Sequence, residues 1–250
     1  MKMNQKICDY SGYDYKNAFW VNQNRDYEHA LETSIIHHLL IKYFKDKKDL
    51  LDAGCGFGRL FNTYNGLFTS YHLVDYAEHL LKEAKDNISD HAAVTFYQQS
   101  LYNLTLKHPI DSILSIRTLH HLNDLDTLFH QFNSVLSLNG RIILDIPNQY
   151  HIKNRIKHLF KPQPSSFTKR SECYYNYDPK YVFKKLKKYG FKILDYRQVG
   201  LFRTPIIKRI IPKEILVYIE SLMNYFIKTF NIGPSVYIVA EKTVDNFVDN

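Results

Sequence analysis

Short apolar runs that end on a polar side chain alternate along this chain with stretches of helical spacing. Leu50-Leu51-Asp52, Ser70 to Asp75, Ala93 to Gln98 and Ile110 to Ile116 read as four successive strands. Arg141 to Pro147, Phe191 to Val199 and Ser235 to Glu241 read as three more. Between them, Asp26 to Phe44 reads as a helix. Over Asp124 to Leu138, apolar residues at Leu125, Leu128, Phe129, Phe132, Val135 and Leu136 keep helical spacing before a Leu138-Asn139-Gly140 turn. Strands alternating with helices predict an α/β fold, with a mostly parallel sheet covered by helices on both faces. Ligands of such a sheet sit beyond the carboxyl ends of its strands.

The first strand runs into the chain's densest chemistry. Asp52 is followed by Gly54, Gly56 and Gly58 at every second residue, so the backbone can turn sharply and approach a ligand closely. A dinucleotide fingerprint, G-x-G-x-x-G, requires its third glycine at position 59. That position holds Arg59, which opposes a nicotinamide or flavin site. Asp75 ends the second strand 17 positions after Gly58, where an acid can accept both hydroxyls of a ribose.

The D-x-G-x-G-x-G spacing resembles motif I of the class I S-adenosylmethionine-dependent methyltransferases. Leu119-His120-His121-Leu122 after the fourth strand resembles the subgroup that includes the ubiquinone and menaquinone methyltransferases. The resemblance implies a doubly wound, seven-stranded, mostly parallel sheet of Rossmann-like methyltransferase type, with helical lid insertions. It implies S-adenosyl-L-methionine as cofactor and S-adenosylhomocysteine as product. It also implies that Asp52 helps hold the cofactor's amino group, that Asp75 and its neighbour Tyr76 meet the ribose, and that Gln99 or Ser100, with Leu101, surrounds the adenine. Arg117 after the fourth strand, and Arg25 or Tyr27 in the approach to the first helix, complete the cofactor set. An unperturbed histidine titrates near working pH, so His120 and His121 are the candidate bases; one of the pair is expected to face inward as packing, and His121 is preferred for the chemistry.

The resemblance is specific over Leu50 to Pro147, extends only topologically to the strands after Phe191 and does not extend to the insertions; the chain reads as an N-terminal helical lid segment (1–48), a cofactor-binding core (49–148) and a C-terminal part (149–250) completing the sheet. Lid insertions fall at 150–177, with Pro162, Pro164 and a Tyr-Tyr-Asn-Tyr cluster, and at 200–234. Phe19 and Trp20 in the approach segment offer another lid wall.

Charge adds a partner. Between His151 and Lys213 stand 17 lysines and arginines against three acids, a net +14, within a chain whose total is +8. Such asymmetry suits an acidic partner, although Lys184, Lys185, Lys187 and Lys188 lie on a helix capped by Asp178-Pro179 and closed by Gly190, where they can simply solvate a face. The leading expectation is methyl transfer to a small-molecule or peptide acceptor, acidic ones included, with hydroxyl or carboxylate oxygen favoured over nitrogen or carbon. An RNA methyltransferase using the basic face is the second reading, and a catalytically silent cofactor-fold binding protein the third. Lys213 to Phe230 carries an apolar stripe, ranked as packing or dimer contact ahead of peripheral membrane contact. Cys8, Cys55 and Cys173 form no C-x-x-C pair, and the histidine pairs lack H-x-x-x-H spacing, so no metal is expected. With no secretory signal and no run of membrane-spanning length, a cytoplasmic protein is expected.

Overall fold

In the computed structural model, which describes residues 20, 25–88, 93–158, 167–171 and 174–243, the apolar runs pair into a seven-stranded sheet. The elements in chain order are α1 (Asp26–Tyr43), β1 (Asp49–Ala53), α2 (Phe61–Tyr64), β2 (Ser70–Asp75), α3 (Glu78–Ile88), β3 (Val94–Gln98), β4 (Ile110–Ser115), α4 (Leu125–Val135) and β5 (Leu136–Pro147). They continue as α5 (Ile152–His158), β6 (Phe167–Ser171), β7 (Tyr174–Tyr177), α6 (Pro179–Lys188), β8 (Phe191–Val199), α7 (Pro205–Ile210), α8 (Lys213–Phe230) and β9 (Ser235–Lys242). Phe19, Cys8 and Cys173 lie outside the described residues, as do Pro162 and Pro164.

The strand order is β3-β2-β1-β4-β5-β9-β8, with β1 to β5 parallel and β9 antiparallel to both β5 and β8. β1, β2 and β4 are buried along almost their whole length, as strands covered on both faces must be. One core joins the sheet to α4 and α6 through Phe129, Phe132, Val182 and Leu186; the other joins it to α1, α2 and α8 through Ile36, Leu39, Tyr64 and Leu216. Strand order reverses between β1 and β4, so the carboxyl ends of β1, β2 and β4 open on one crevice.

Two details depart from the sequence pattern. β5 begins at Leu136, which pairs with Ile110 before the register shifts, and Asn139 takes a φ of 61°, so the expected turn is a bulge inside the strand. The 150–177 insertion contains α5 and an antiparallel β6–β7 hairpin, in which the Tyr-Tyr-Asn-Tyr cluster is a strand. Among the described residues no helix is long and apolar enough to cross a membrane.

Candidate active site

The glycine loop leaves β1 with Gly54 at φ +87° and its N–H donating to Val74 O at 2.8 Å. A Cβ at Gly54 would lie 2.3 Å from Thr118 Oγ1, whereas one at Gly56 would meet nothing within 4 Å. Gly54 therefore lets two loops close together, and Gly56 leaves open space above the backbone. Asp75 splints this loop: Gly56 N donates to Oδ2 at 2.7 Å and Ala77 N to Oδ1 at 2.8 Å. Burial raises the Asp75 carboxyl above its ordinary range, and these backbone donors oppose the rise. Asp52 lies deeper, 2 % exposed, accepting from Tyr64 OH at 2.6 Å. Burial pushes its carboxyl up to about 7; the Tyr64 hydrogen bond opposes that shift, the Asp75 charge adds to it, and Arg59 opposes it again.

Behind the loop lies an ionic cluster. Glu32 of α1, 1 % exposed, accepts from Arg59, from Arg117 Nε at 2.7 Å and from Tyr237 OH at 3.1 Å. Burial alone would raise its carboxyl, but the guanidiniums of Arg117 and Arg59 outweigh that and hold it down at about 2. Arg117 sits in the left-handed region at φ 58°, and its N–H donates to Asp145 Oδ1 at 2.5 Å. Asp145 is raised to about 6 by burial and by Glu32, with Arg117 opposing. Trp20 lies against both guanidiniums, its ring centroid 3.8 Å from Arg59 Cζ and 4.8 Å from Arg117 Cζ. These contacts give the crevice a cationic wall backed by an aromatic face.

Two adjoining clefts share Gly54, Asp75, Arg117 and His121. Asp52, Gly56, Phe57 and Arg59 line the first; Tyr76, Ser100, Leu101 and Leu122 line the second. Gly58 turns the loop at φ +76° behind the first cleft and is not among its lining residues. The remaining expected residues are placed elsewhere. Gln99 does not line either cleft, because Thr105 N donates to its Oε1 at 2.9 Å and its Nε2 donates to Thr105 O at 3.1 Å, closing the 99–105 loop. Tyr27 is buried in the core shared by α1 and α8, where burial and the Glu220 carboxylate raise its hydroxyl above the ordinary value. Arg25 occupies the N-cap position of α1, and neither it nor Tyr27 lines the clefts. His120 faces inward, its ring 3.9 Å from that of His121 and 4.7 Å from Tyr174; burial and then His121 push its imidazolium form well below the usual range. The same short turn, Leu119–His121, presents His121 to both clefts. No group of three or more His, Cys, Asp or Glu able to hold a metal occurs among the described residues.

Arg59, Glu32 and Trp20 are the site residues that the sequence pattern did not single out for this role. Glu28 and Glu32, four apart on the buried face of α1, were the available signal.

Residues 51–144 match the methyltransferase domain family. An uncharacterized protein of Methanocaldococcus jannaschii is 33 % identical over 127 residues, which span 49 % of this chain and 52 % of that protein. The malonyl-[acyl-carrier protein] O-methyltransferase of Bacillus cereus is 27 % identical over 116 residues, 42 % of each chain. The chain thus spans about half the length of the curated relatives it matches. A crystal structure of an S-adenosylmethionine-dependent methyltransferase from Clostridium acetobutylicum superposes with a TM-score of 0.60 at 16 % identity, over 92 % of this chain and 96 % of that one. Segment 51–144 thus matches a methyltransferase domain, and the seven-stranded sheet around it has the Rossmann-like fold of the Clostridium acetobutylicum structure.

Proposed function

We propose that the protein transfers a methyl group from S-adenosylmethionine to a hydroxyl or carboxylate oxygen of a small-molecule or peptide acceptor. The observation that carries this reading is the convergence of a buried carboxylate, Asp52, and a partly buried one, Asp75, with the Gly54–Gly58 loop at one crevice. That donor set suits a cationic cofactor without phosphate: Asp52 accepts from an ammonium, Asp75 has acceptor capacity beyond its two backbone donors, and Arg59 and Arg117 face a carboxylate. Ser100, Leu101 and Tyr76 form the adenine and ribose end in this reading. When bound, the cofactor supplies an electrophilic methyl on a sulfonium whose charge is lost on transfer.

The chain's own task is alignment and exclusion of water. Phe57, Leu80 and Trp20 form an apolar cluster at the first cleft, and Leu101 and Leu122 border the second. His121 stands where an acceptor hydroxyl can pass its proton, while buried His120 supports the turn that aims it. The malonyl-carrier relative and the basic 151–213 segment favour an acidic acceptor. Part of that basic charge is already used: Lys185 and Lys188 pair with Asp126, and Lys208 with Glu28.

Titration calorimetry tests the cofactor, with saturable 1:1 binding of S-adenosylhomocysteine and none of NAD expected; NAD binding in its place overturns the reading. His121→Ala tests the acceptor. With a hydroxyl acceptor kcat should fall about 10²- to 10⁴-fold, whereas a carboxylate acceptor needs no base and turnover should change less than about tenfold. His120→Ala should instead lower thermal stability through lost packing.

A further inference from the structure

Helix α8 is apolar on two opposite sides, and among the described residues only one of them is packed into the fold. On the inner side Leu216 and Ile227 are fully buried, and Glu220 between them accepts from Gly200 N at 2.9 Å and Leu201 N at 2.6 Å. On the outer side Ile215, Tyr218, Leu222, Tyr225 and Phe226 follow one another at helical spacing, all exposed, Leu222 at 67 % and Tyr225 at 81 %. Phe230 continues the row, its ring 4.5 Å from that of Phe226. From Ile215 to Phe230 the stripe is about 22 Å long. A contiguous apolar surface of this length on a folded domain marks an interaction site.

Two helices that precede α8 in the chain also expose isoleucines. α7, just before α8, exposes Ile206 and Ile210 (73 %) four residues apart. α5 exposes Ile152 and Ile156, also four apart, and Ile152 N donates to Ile232 O just past the end of α8. Cations flank the stripe at both ends. Arg209 and Lys213 lie at the α7–α8 junction; at the other end Arg155, Lys180 and Lys228 line a groove with Phe230. Lys228 also pairs with Asp195 at 3.6 Å. The acids of α5, α7 and α8 are Glu214, in the first turn of α8, and the buried Glu220.

This charge pattern selects the occupant. A second copy meeting the same face about a two-fold axis would press one basic rim against another. Nucleic acid would need its cations on the contacting surface, yet the stripe from Ile215 to Phe226 presents none outward. An anionic bilayer satisfies both features at once, since acyl chains receive the apolar stripe, tyrosines sit at headgroup level and lipid phosphates meet the flanking lysines and arginines. We propose that the outer face of α8, together with the exposed isoleucines of α5 and α7, seats this protein on the surface of an anionic lipid bilayer.

Co-sedimentation of the full chain with vesicles tests this, using phosphatidylcholine alone and phosphatidylcholine with about one-third phosphatidylglycerol. The anionic vesicles should bind at least tenfold more tightly than the neutral ones, and added salt should weaken that binding. The double variant Leu222→Glu/Phe226→Glu should lose at least tenfold of it with an unchanged circular dichroism spectrum, because both side chains are exposed. Equal binding of wild type and double variant overturns the proposal, as does absence of vesicle binding. A dimer in sedimentation velocity that the double variant dissociates, with no vesicle binding, assigns the face to a second copy instead.

Discussion

Glu32→Ala is expected to cost about 3–5 kcal/mol of folding stability, because it leaves the guanidiniums of Arg59 and Arg117 without their buried counter-charge. Glu32→Gln should cost less, since the amide oxygen still accepts one of the three donors that now converge on the carboxylate. The effect carries a pH signature. Glu32 is held at about 2 against an ordinary 4.5, so its ionised form contributes stability that is present above about pH 4.5 and lost as pH falls through about 2. That depression corresponds to roughly 3 kcal/mol for this fully buried group. Urea unfolding should therefore show the largest gap between wild type and Glu32→Gln near neutrality, and a closing gap below about pH 4. Cofactor affinity should fall with it, because Glu32 aims both arginines at the cleft. A stability gap that stays constant from neutrality to about pH 3 would mean that Glu32 acts through packing and not through its charge.

The same residue shows where the sequence stops being readable. Strand ends and the glycine loop were legible because each is a local pattern: an apolar run, an acid, then glycines that must take positive φ. The interior of α1 was not. Glu28 and Glu32 are four apart, a spacing that on most helices means a solvated pair, and their partners Lys208, Arg59 and Arg117 lie 180, 27 and 85 positions away. Only the folded sheet brings those cations to one helix face. Arg59 was visible as the residue that breaks the dinucleotide spacing, yet its positive role needs Glu32 and Trp20 beside it.

The β6–β7 hairpin is not legible for a related reason, because a strand of four residues owes its identity to the partner across the ladder, here Phe167–Ser171. Choosing between Gln99 and Ser100 required knowing that the Thr105 backbone occupies the Gln99 amide. Arg25 and Tyr27 lie in the approach segment along the chain, but the first turns of α1 direct Tyr27 towards the α8 core. Helical phase decides this, and Tyr27 falls on the face that α1 buries.

Asp52→Asn should shift stability and cofactor binding in opposite directions. Burial raises Asp52 from an ordinary 3.8 to about 7, despite the Tyr64 hydrogen bond. A carboxyl so raised binds its proton more tightly in the native than in the unfolded state, so it makes stability fall as pH rises between about 4 and 7. Above that window the wild type carries the full cost of a buried carboxylate, on the order of 4 kcal/mol for a group 2 % exposed. Asparagine removes that cost and keeps an acceptor for Tyr64. The variant should melt above the wild type at about pH 8, and the two should converge below about pH 4. Asp145, raised to about 6, and the raised Asp75 and Glu220 slope the same way, so the difference between variant and wild type is the readout.

Binding runs the other way. An ammonium placed against Asp52 favours its ionised form, so S-adenosylhomocysteine should displace a proton as it binds below about pH 7. Calorimetry in two buffers of different ionisation enthalpy measures that proton. Asp52→Asn should abolish the release and weaken binding about 30- to 150-fold, as loss of one charge-assisted contact of 2–3 kcal/mol implies. A variant that binds as tightly as the wild type with no change in proton release would remove Asp52 from the cofactor site and leave it a buried acid serving only Tyr64. A variant that is both weaker in binding and more stable at alkaline pH shows a fold that accepts an unfavourable buried charge at the carboxyl end of β1, where its ligand supplies the missing cation.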